Sequence, residues 1–257
     1  MPETMQRVRR RNGRFGAAVL GAALILLWQG VSVSGIAPPY MLPGPAQIVL
    51  AAARDLPLLW VHLLQTLKEA AAGLALALAV SFILAVLMDA SRLLKETVTP
   101  LLTLTQTMPI IALAPLLVLW MGYGSAPKIA LVFLTCFFPL TVGLLGAFAQ
   151  ADDDALRLLK SMGARRLELY RYIKLPQSLP AFFSALRISA SYSIIGAVIA
   201  EWLGGDAGLG VYMIRVRKSY SFDRMFAAIV LVSLLSLALI KLVELIERVA
   251  MPWLLKE

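Results

Sequence analysis

The chain has one cysteine, one histidine, no Gly-Lys pair and only 15% charged residues among 257 positions. A single thiol forms no internal disulfide, and Cys136, beside Phe137 and Phe138 in an apolar run, reads as a small buried hydrophobe rather than a reactive group. With His62 the sole histidine, no Cys/His metal cluster can be assembled, and nothing suggests a carboxylate-only site, so no metal ligands are expected. Without a Gly-Lys pair there is no G-x4-G-K-[ST] phosphate loop, and the chain is not expected to hydrolyse ATP itself.

What the chain does have is apolar surface. Hydrophobic residues make up 60% of it and the mean hydropathy is +0.81, against an apolar share of ~45–50% in soluble domains. These residues gather into long runs separated by short charged stretches, as a polytopic membrane protein requires. A soluble enzyme, a disordered tail and a secreted disulfide scaffold are excluded on that ground. The net charge of +9 raises nucleic acid and membrane surface as partners. Because the basic residues sit mostly at the ends of apolar runs, they read as topology signals beside lipid, with no nucleic-acid partner.

A bilayer core of ~30 Å needs about 20 mostly apolar helical residues, and six segments come close: 15–36, 66–88, 99–121, 126–148, 181–203 and 225–246. The first follows a basic cluster, Arg7, Arg9, Arg10, Arg11 and Arg14, within a cytoplasmic N-terminus of residues 1–14. Pro38 follows its one A-x-A-like site, so an uncleaved helix is expected rather than a signal peptide. Residues 37–65, punctuated by Pro38, Pro39, Pro43, Pro45 and Pro57, read as an external loop with an interfacial helix over 46–54. The core would occupy 66–248, with a cytoplasmic loop at 150–176, an external loop at 204–224 and a cytoplasmic tail at 249–257. Six spans put both termini on one side. Placing them in the cytoplasm leaves sixteen Lys and Arg inside against seven outside, which supports that orientation. The external cluster Arg215, Arg217 and Lys218 runs against the rule and reads as lying at the lipid headgroups.

Spans two and five carry small residues every fourth position: Gly73, Ala77, Ser81 and Ala85, then Ala181, Ala185, Ser189, Ser193 and Ala197. Such ridges favour close helix packing, a dimer seam included, with a polar pore lining as the alternative. Span three holds Pro109 and Pro115, with Gln106 and Thr107 just before the first. Two readings stand side by side: an interrupted helix whose freed backbone groups meet a ligand, or a kink satisfied by neighbouring helices. Glu201, before Trp202 at the end of span five, reads as an interfacial carboxylate reaching water, with ligand contact as the alternative. Gln106, Thr107, Pro109, Ser189, Ser193 and Glu201 are thus candidates for a translocation path.

The cytoplasmic stretch from Asp152 to Pro176 carries the most information. Asp152, Asp153 and Asp154 complement a helix N-terminus, and Gly163 supplies the left-handed residue that ends the helix. A second short helix is expected with Leu167, Tyr170 and Ile173 one turn apart, ended by Pro176, which excludes Leu175 from comfortable helical geometry. Two short amphipathic helices at a fixed angle suit a groove in a soluble partner, the alternative being a loop lying in lipid headgroups.

Here the sequence resembles the permease subunits of bacterial ABC importers of the binding-protein-dependent class, whose loop pattern is E-A-A-x3-G-x9-I-x-L-P. Gly163, Ile173, Leu175 and Pro176 fall at the required spacing, while the E-A-A positions are Arg157, Leu158 and Leu159. The likeness extends through Leu42-Pro43-Gly44-Pro45, His62 to Thr66, Pro109 to Gly122, Phe138-Pro139, Ala200 to Gly204 and Gly208 to Gly210. These segments look like the nitrate, sulfonate and taurine branch, with Ser191 to Gly210 most similar to permeases for thiamine pyrimidine precursors or riboflavin.

The resemblance implies an all-α membrane protein of six transmembrane helices with the type I ABC importer (MetI-like) permease fold, in the inner membrane as a homodimer. Two cytoplasmic ABC ATPase subunits, which would bind ATP and Mg, would receive coupling helices built from Asp152, Asp153, Asp154, Leu156, Arg157, Leu159, Gly163, Ala164, Leu167, Tyr170, Ile173, Leu175 and Pro176. A periplasmic or lipid-anchored solute-binding protein would deliver the substrate, a thiamine pyrimidine precursor or related vitamin, with sulfonate, taurine or nitrate as the alternative. The chain would bind no cofactor. A membrane-embedded enzyme would need convergent reactive groups, and among Lys68, Glu69, Asp89, Arg187, Glu201, Lys241 and Glu244 no pairing stands out from the sequence. An ATP-independent transporter would want buried carboxylates, and a purely structural anchor would not explain the broken third span.

Overall fold

The structure, a computed structural model, describes residues 3–35, 38 and 41–252, with the backbone alone for residues 3–15, 17 and 18. The arginine side chains of the N-terminal cluster, residue 36 at the end of the expected first span, residues 37, 39 and 40 of the expected external loop, and 253–257 of the expected tail lie outside the described residues. Eleven α-helices follow in order among the described residues: α1 (Glu3–Val33), α2 (Pro45–Arg54), α3 (Leu56–Ala90), α4 (Arg92–Thr107), α5 (Ile110–Met121), α6 (Ser125–Ala149), α7 (Asp153–Ser161), α8 (Arg166–Leu169), α9 (Leu175–Glu201), α10 (Leu209–Lys218) and α11 (Phe222–Ala250). Among the described residues, four helical runs are long and apolar enough to cross a bilayer, 56–90, 125–149, 166–201 and 222–250, and the bent pair α4 and α5 makes a fifth if counted as one. The expected first span contributes a shorter apolar stretch, Val19–Val33.

Two compact units divide the chain, one formed by residues 1–59 and 212–230, the other by 60–211 and 231–257. In the first, α2 starts with Pro45 at its opening position, where the missing N–H costs nothing. The Gln29 amide of α1 accepts from the Ala46 N–H at 3.2 Å, and the Ser32 hydroxyl donates to the Leu42 carbonyl at 3.1 Å. Asp55 accepts from the Tyr212 hydroxyl at 2.7 Å and faces Arg224 at 3.4 Å. Burial and the Asp55 carboxylate both push the Tyr212 phenol above its ordinary range.

In the second unit, α6 is the central strut. Ala70 and Ala77 of α3, Val132, Cys136 and Leu140 of α6, and Ala185, Ile194 and Ala197 of α9 form one buried cluster. The small-residue ridges explain it, since a Cβ at Gly73 would come within 2.5 Å of Val132 and one at Gly143 within 2.6 Å of Ala185. Hydroxyls follow the same lines: Thr141 donates to Ser81 at 3.0 Å and Ser81 to the Phe137 carbonyl at 3.1 Å. Both ridges are therefore spent on α6 within this chain, which removes the dimer-seam reading from them.

Four expected boundaries change. Helix α3 starts at Leu56, ten residues before the expected span, because Pro57 falls in its first turn, where proline is tolerated. The third span is broken: Met108 is extended (φ −75°, ψ 126°) ahead of Pro109, and α4 and α5 meet at 98°. Pro176 does not end a helix, since Tyr170–Lys174 forms a π-helical turn, with the Leu175 N–H bonded to the Tyr170 carbonyl, that joins α8 to α9. This shift of hydrogen-bond register comes just before the residue that lacks an N–H. Finally, the stretch 204–224, expected as an external loop, contains α10, which buries Leu209, Tyr212, Met213 and Val216 at helical spacing.

Candidate functional site

Three groups of residues in the second unit carry the polar chemistry. The first is the stretch from Asp152 to Lys174. Asp152 caps α7, its carboxylate accepting the Asp154 and Ala155 N–H groups at 2.9 and 3.3 Å. At the other end Gly163 (φ +86°) donates to the Lys160 carbonyl at 3.0 Å and Ala164 to that of Leu159 at 3.1 Å. That pair of bonds is a Schellman motif, so Gly163 fixes the corner as its spacing implied. After it, the Glu168 carboxylate accepts the Arg165 N–H at 2.6 Å and starts α8.

The expected stripe Leu167, Tyr170 and Ile173 is only partly realised. Leu167 is exposed, and Leu169 and Ile173 are buried with Tyr170 beside them, because the π turn rotates the face that meets the bundle. Leu158, Met162, Leu167 and Tyr172 remain as exposed apolar side chains on the hairpin. Asp153, Asp154 and Arg157 are exposed, while Leu156, Leu159, Ala164 and Leu175 are half-buried. The anchor comes from a residue given no role in the sequence reading: Asp89, at the end of α3, accepts from the Tyr170 hydroxyl and from Lys174 Nζ at 2.5 Å. Tyr170 and Lys174 are four residues apart, which puts both on one face.

The second group is buried at the opposite ends of α3, α6 and α9. Glu201 is 1% exposed, which corrects the expectation that it reaches water. Its carboxylate accepts the Thr66 hydroxyl at 2.7 Å and the Gly210 N–H at 2.6 Å. Thr66 in turn accepts the Leu209 N–H at 2.8 Å, and His62 Nδ1 accepts the Gly208 N–H at 2.9 Å. The first turn of α10 and the glycines before it are thus pinned to α3 and α9. The positive φ of Gly208, +131°, and the collision that a Cβ there would make with the Glu201 carboxyl explain why glycine stands at that point.

Beside this clasp lies an ion pair that the sequence did not pair up. Lys128, counted from the sequence as external, is 5% exposed and meets Glu69 Oε1 at 3.0 Å. The same oxygen accepts from Gln65 at 2.7 Å and Ser125 at 3.1 Å, while Glu69 Oε2 is buried without a partner. Of the other candidates, Arg187 pairs with Glu247 and Lys241 with Glu244. No His, Cys, Asp and Glu group among the described residues is arranged to hold a metal.

The third group lies at the broken span. A cavity of about 510 Å³ is lined by Thr105, Gln106 and Ile110 around the break, Leu134, Thr135, Phe138 and Pro139 of α6, and Ile188, Tyr192, Ile195, Gly196 and Ile199 of α9. Of the path candidates only Gln106 lines it. Thr107 is exposed and donates to the Leu104 carbonyl, and Pro109 is exposed at the start of α5. Ser189 and Ser193 are fully buried, the latter donating to the Ala190 carbonyl. The cavity face of α9 is the neighbouring stripe, whose larger residues drew no attention in the sequence.

Residues 58–250 match the family described as binding-protein-dependent transport system inner membrane component. The formylaminopyrimidine transport permease protein ThiX of Halalkalibacterium halodurans is 36% identical over 236 residues, covering 91% of this chain and 94% of that protein. The riboflavin transport system permease protein RibX of Chloroflexus aurantiacus is 32% identical over 241 residues, covering 93% and 90%. More distant relatives, at 27% and 26% identity, are named for aliphatic sulfonates in Bacillus subtilis and taurine in Escherichia coli. Among solved structures, an amino acid ABC transporter crystallised with histidines superposes with a TM-score of 0.65 at 17% identity, covering 77% of this chain and 97% of its own, which establishes a shared fold.

Proposed function

The chain belongs to the binding-protein-dependent transport system inner membrane components, and from that premise we propose that it is the permease of an ATP-driven importer for a thiamine pyrimidine precursor or related vitamin. It is a multi-pass inner-membrane transport subunit of the type I (MetI-like) fold and not itself an enzyme, its relatives being named as transport permease proteins. The finer reading has six spans, with α1 as the first, both termini in the cytoplasm, and a homodimer. Two ATPase subunits binding ATP and Mg would receive the hairpin of residues 152–174, and an external binding protein would deliver the solute to the other side. This chain would hold no cofactor.

The observation that carries the coupling role is the hairpin's construction. A Schellman corner at Gly163 and the Asp89 anchor on Tyr170 and Lys174 hold it rigidly, and exposed apolar side chains remain for a partner. Its continuity with α9 gives any movement a direct route into the bundle. The substrate reading rests on the ThiX and RibX relatives, while the sulfonate and taurine relatives favour the alternative.

The test is uptake by the complete importer, crosslinked and purified from its native cells and placed in proteoliposomes. Import of formylaminopyrimidine that stops when ATP is omitted is the expected result. ATP-independent import, or repeated failure of efficient crosslinking to recover an ATPase with a phosphate loop, would overturn the class.

A further inference from the structure

The cavity beside the broken span has a lining that selects among ligand chemistries. Ile188, Tyr192, Ile195 and Ile199 fall at i, i+4, i+7 and i+11 of α9 and form one stripe, set against Phe138 of α6 and Gln106 and Ile110 at the break. Tyr192 is 45% exposed although it lies in mid-helix, so its ring remains accessible in the protomer. Tyr192 and Phe138 supply flat apolar faces. The exposed Gln106 amide offers both donors and an acceptor. The Thr135 hydroxyl donates to the Leu131 carbonyl and keeps acceptor capacity.

None of the lining residues is charged. A sulfonate, taurine or nitrate group brought here would lose its water without a cationic partner, which is unfavourable in an apolar setting. A neutral aromatic ring with ring nitrogens and an exocyclic amine loses less and gains stacking and amide hydrogen bonds. The volume of about 510 Å³ suits a small ligand.

We infer that this cavity is a subsite, within the permease itself, for an uncharged nitrogen heterocycle held between Tyr192 and Phe138 with the Gln106 amide reading its polar edge. The inference rests on the vitamin-precursor reading above and deepens it to named residues. Ile188, Ile195 and Ile199 then act as the apolar floor that excludes charged solutes.

The experiment measures ATP-dependent uptake of formylaminopyrimidine and, separately, of taurine by the complete importer in proteoliposomes, for the natural chain and for Tyr192→Ala, Tyr192→Phe and Gln106→Leu. Light scattering checks the assembly of each complex. Tyr192→Ala should raise the KM for formylaminopyrimidine about tenfold, as loss of a stacking surface does, while Tyr192→Phe stays within about twofold. Gln106→Leu should raise it about tenfold as well. Natural-chain uptake of formylaminopyrimidine with KM unchanged in Tyr192→Ala and Gln106→Leu would overturn the subsite and leave the substrate reading standing. Uptake of taurine but not formylaminopyrimidine by the natural chain would overturn the substrate reading and the subsite with it. Dissociation of the permease dimer by Tyr192→Ala and Gln106→Leu alike would assign this face to a second copy of the chain, and so would also overturn the subsite.

Discussion

Replacing Lys128 with methionine isolates the contribution of the buried pair. The change keeps the aliphatic stem and removes the ammonium 3.0 Å from Glu69 Oε1, leaving a carboxylate that is 1% exposed with only Gln65 and Ser125 as donors. Removing one partner of a buried pair costs about 3–5 kcal/mol, because the other charge stays out of water. That is roughly two to three and a half decades in the folded-to-unfolded ratio. The double change Lys128→Met with Glu69→Leu removes both charges, so it should cost far less than the two single changes added together. Equilibrium unfolding of the purified complex in mixed micelles, taken as a double-mutant cycle, reads this directly. A cost below about 1 kcal/mol for Lys128→Met, or simple additivity of the singles, would refute the claim that the pair is desolvated and coupled.

Three further outcomes follow from the same geometry. Gly208→Ala, at φ +131° and against the Glu201 carboxyl, should lower stability by about 1–3 kcal/mol and impair uptake, and unaltered thermal unfolding would contradict the clasp. Gly163→Asp, strained at φ +86° although nothing lies within 4 Å of a new Cβ, should distort that corner while leaving the spans folded, and so separate ATP hydrolysis from transport; normal coupled uptake by assembled complexes would sink the coupling role. Tyr212→Phe removes a 2.7 Å bond to the Asp55 carboxylate and should cost about 1.5–3 kcal/mol in unfolding measurements, whereas a neutral effect would place that carboxylate in water.

Features that depend on local chemistry were legible in the sequence. The Asp152 cap, the Gly163 corner and the break before Pro109 each follow from the backbone preferences of a single residue type. The two small-residue ridges announced close packing but could not say against what, since periodicity on one helix carries no information about its neighbour. The π turn at Tyr170–Lys174 hid because its hydrogen-bond shift leaves no compositional trace, and it carried Pro176 through where a break was expected. Glu69 and Lys128, separated by 59 residues, could be paired only once α3 and α6 were set side by side. His62, Thr66, Glu201 and Gly208 to Gly210 lie in separate segments of the sequence, and the fold gathers them into one clasp.

The helical run from Arg166 to Glu201 meets all three groups and so links their chemistry. At its start Tyr170 and Lys174 are tied to Asp89, in its middle the Ile188 to Ile199 stripe lines the cavity, and at its end Glu201 holds the first turn of α10. At a rise of ~1.5 Å per residue, Pro176 and Tyr192 are roughly 24 Å apart and Pro176 and Glu201 roughly 38 Å. A close-packed helix transmits a displacement over such lengths without needing a chain of separate contacts. Its hydrogen-bond register shifts at the π turn beside Pro176, where the run leaves the hairpin, and Pro180 one turn on removes a further backbone bond. On the proposed function, closure of the ATPase pair moves the hairpin, the π turn takes up the change of angle, and α9 carries the remainder to the cavity and the clasp. A solute bound at the Tyr192 stripe biases the same element only by its differential affinity for the two positions of α9, so the tightest-binding solute need not be the one that best stimulates hydrolysis.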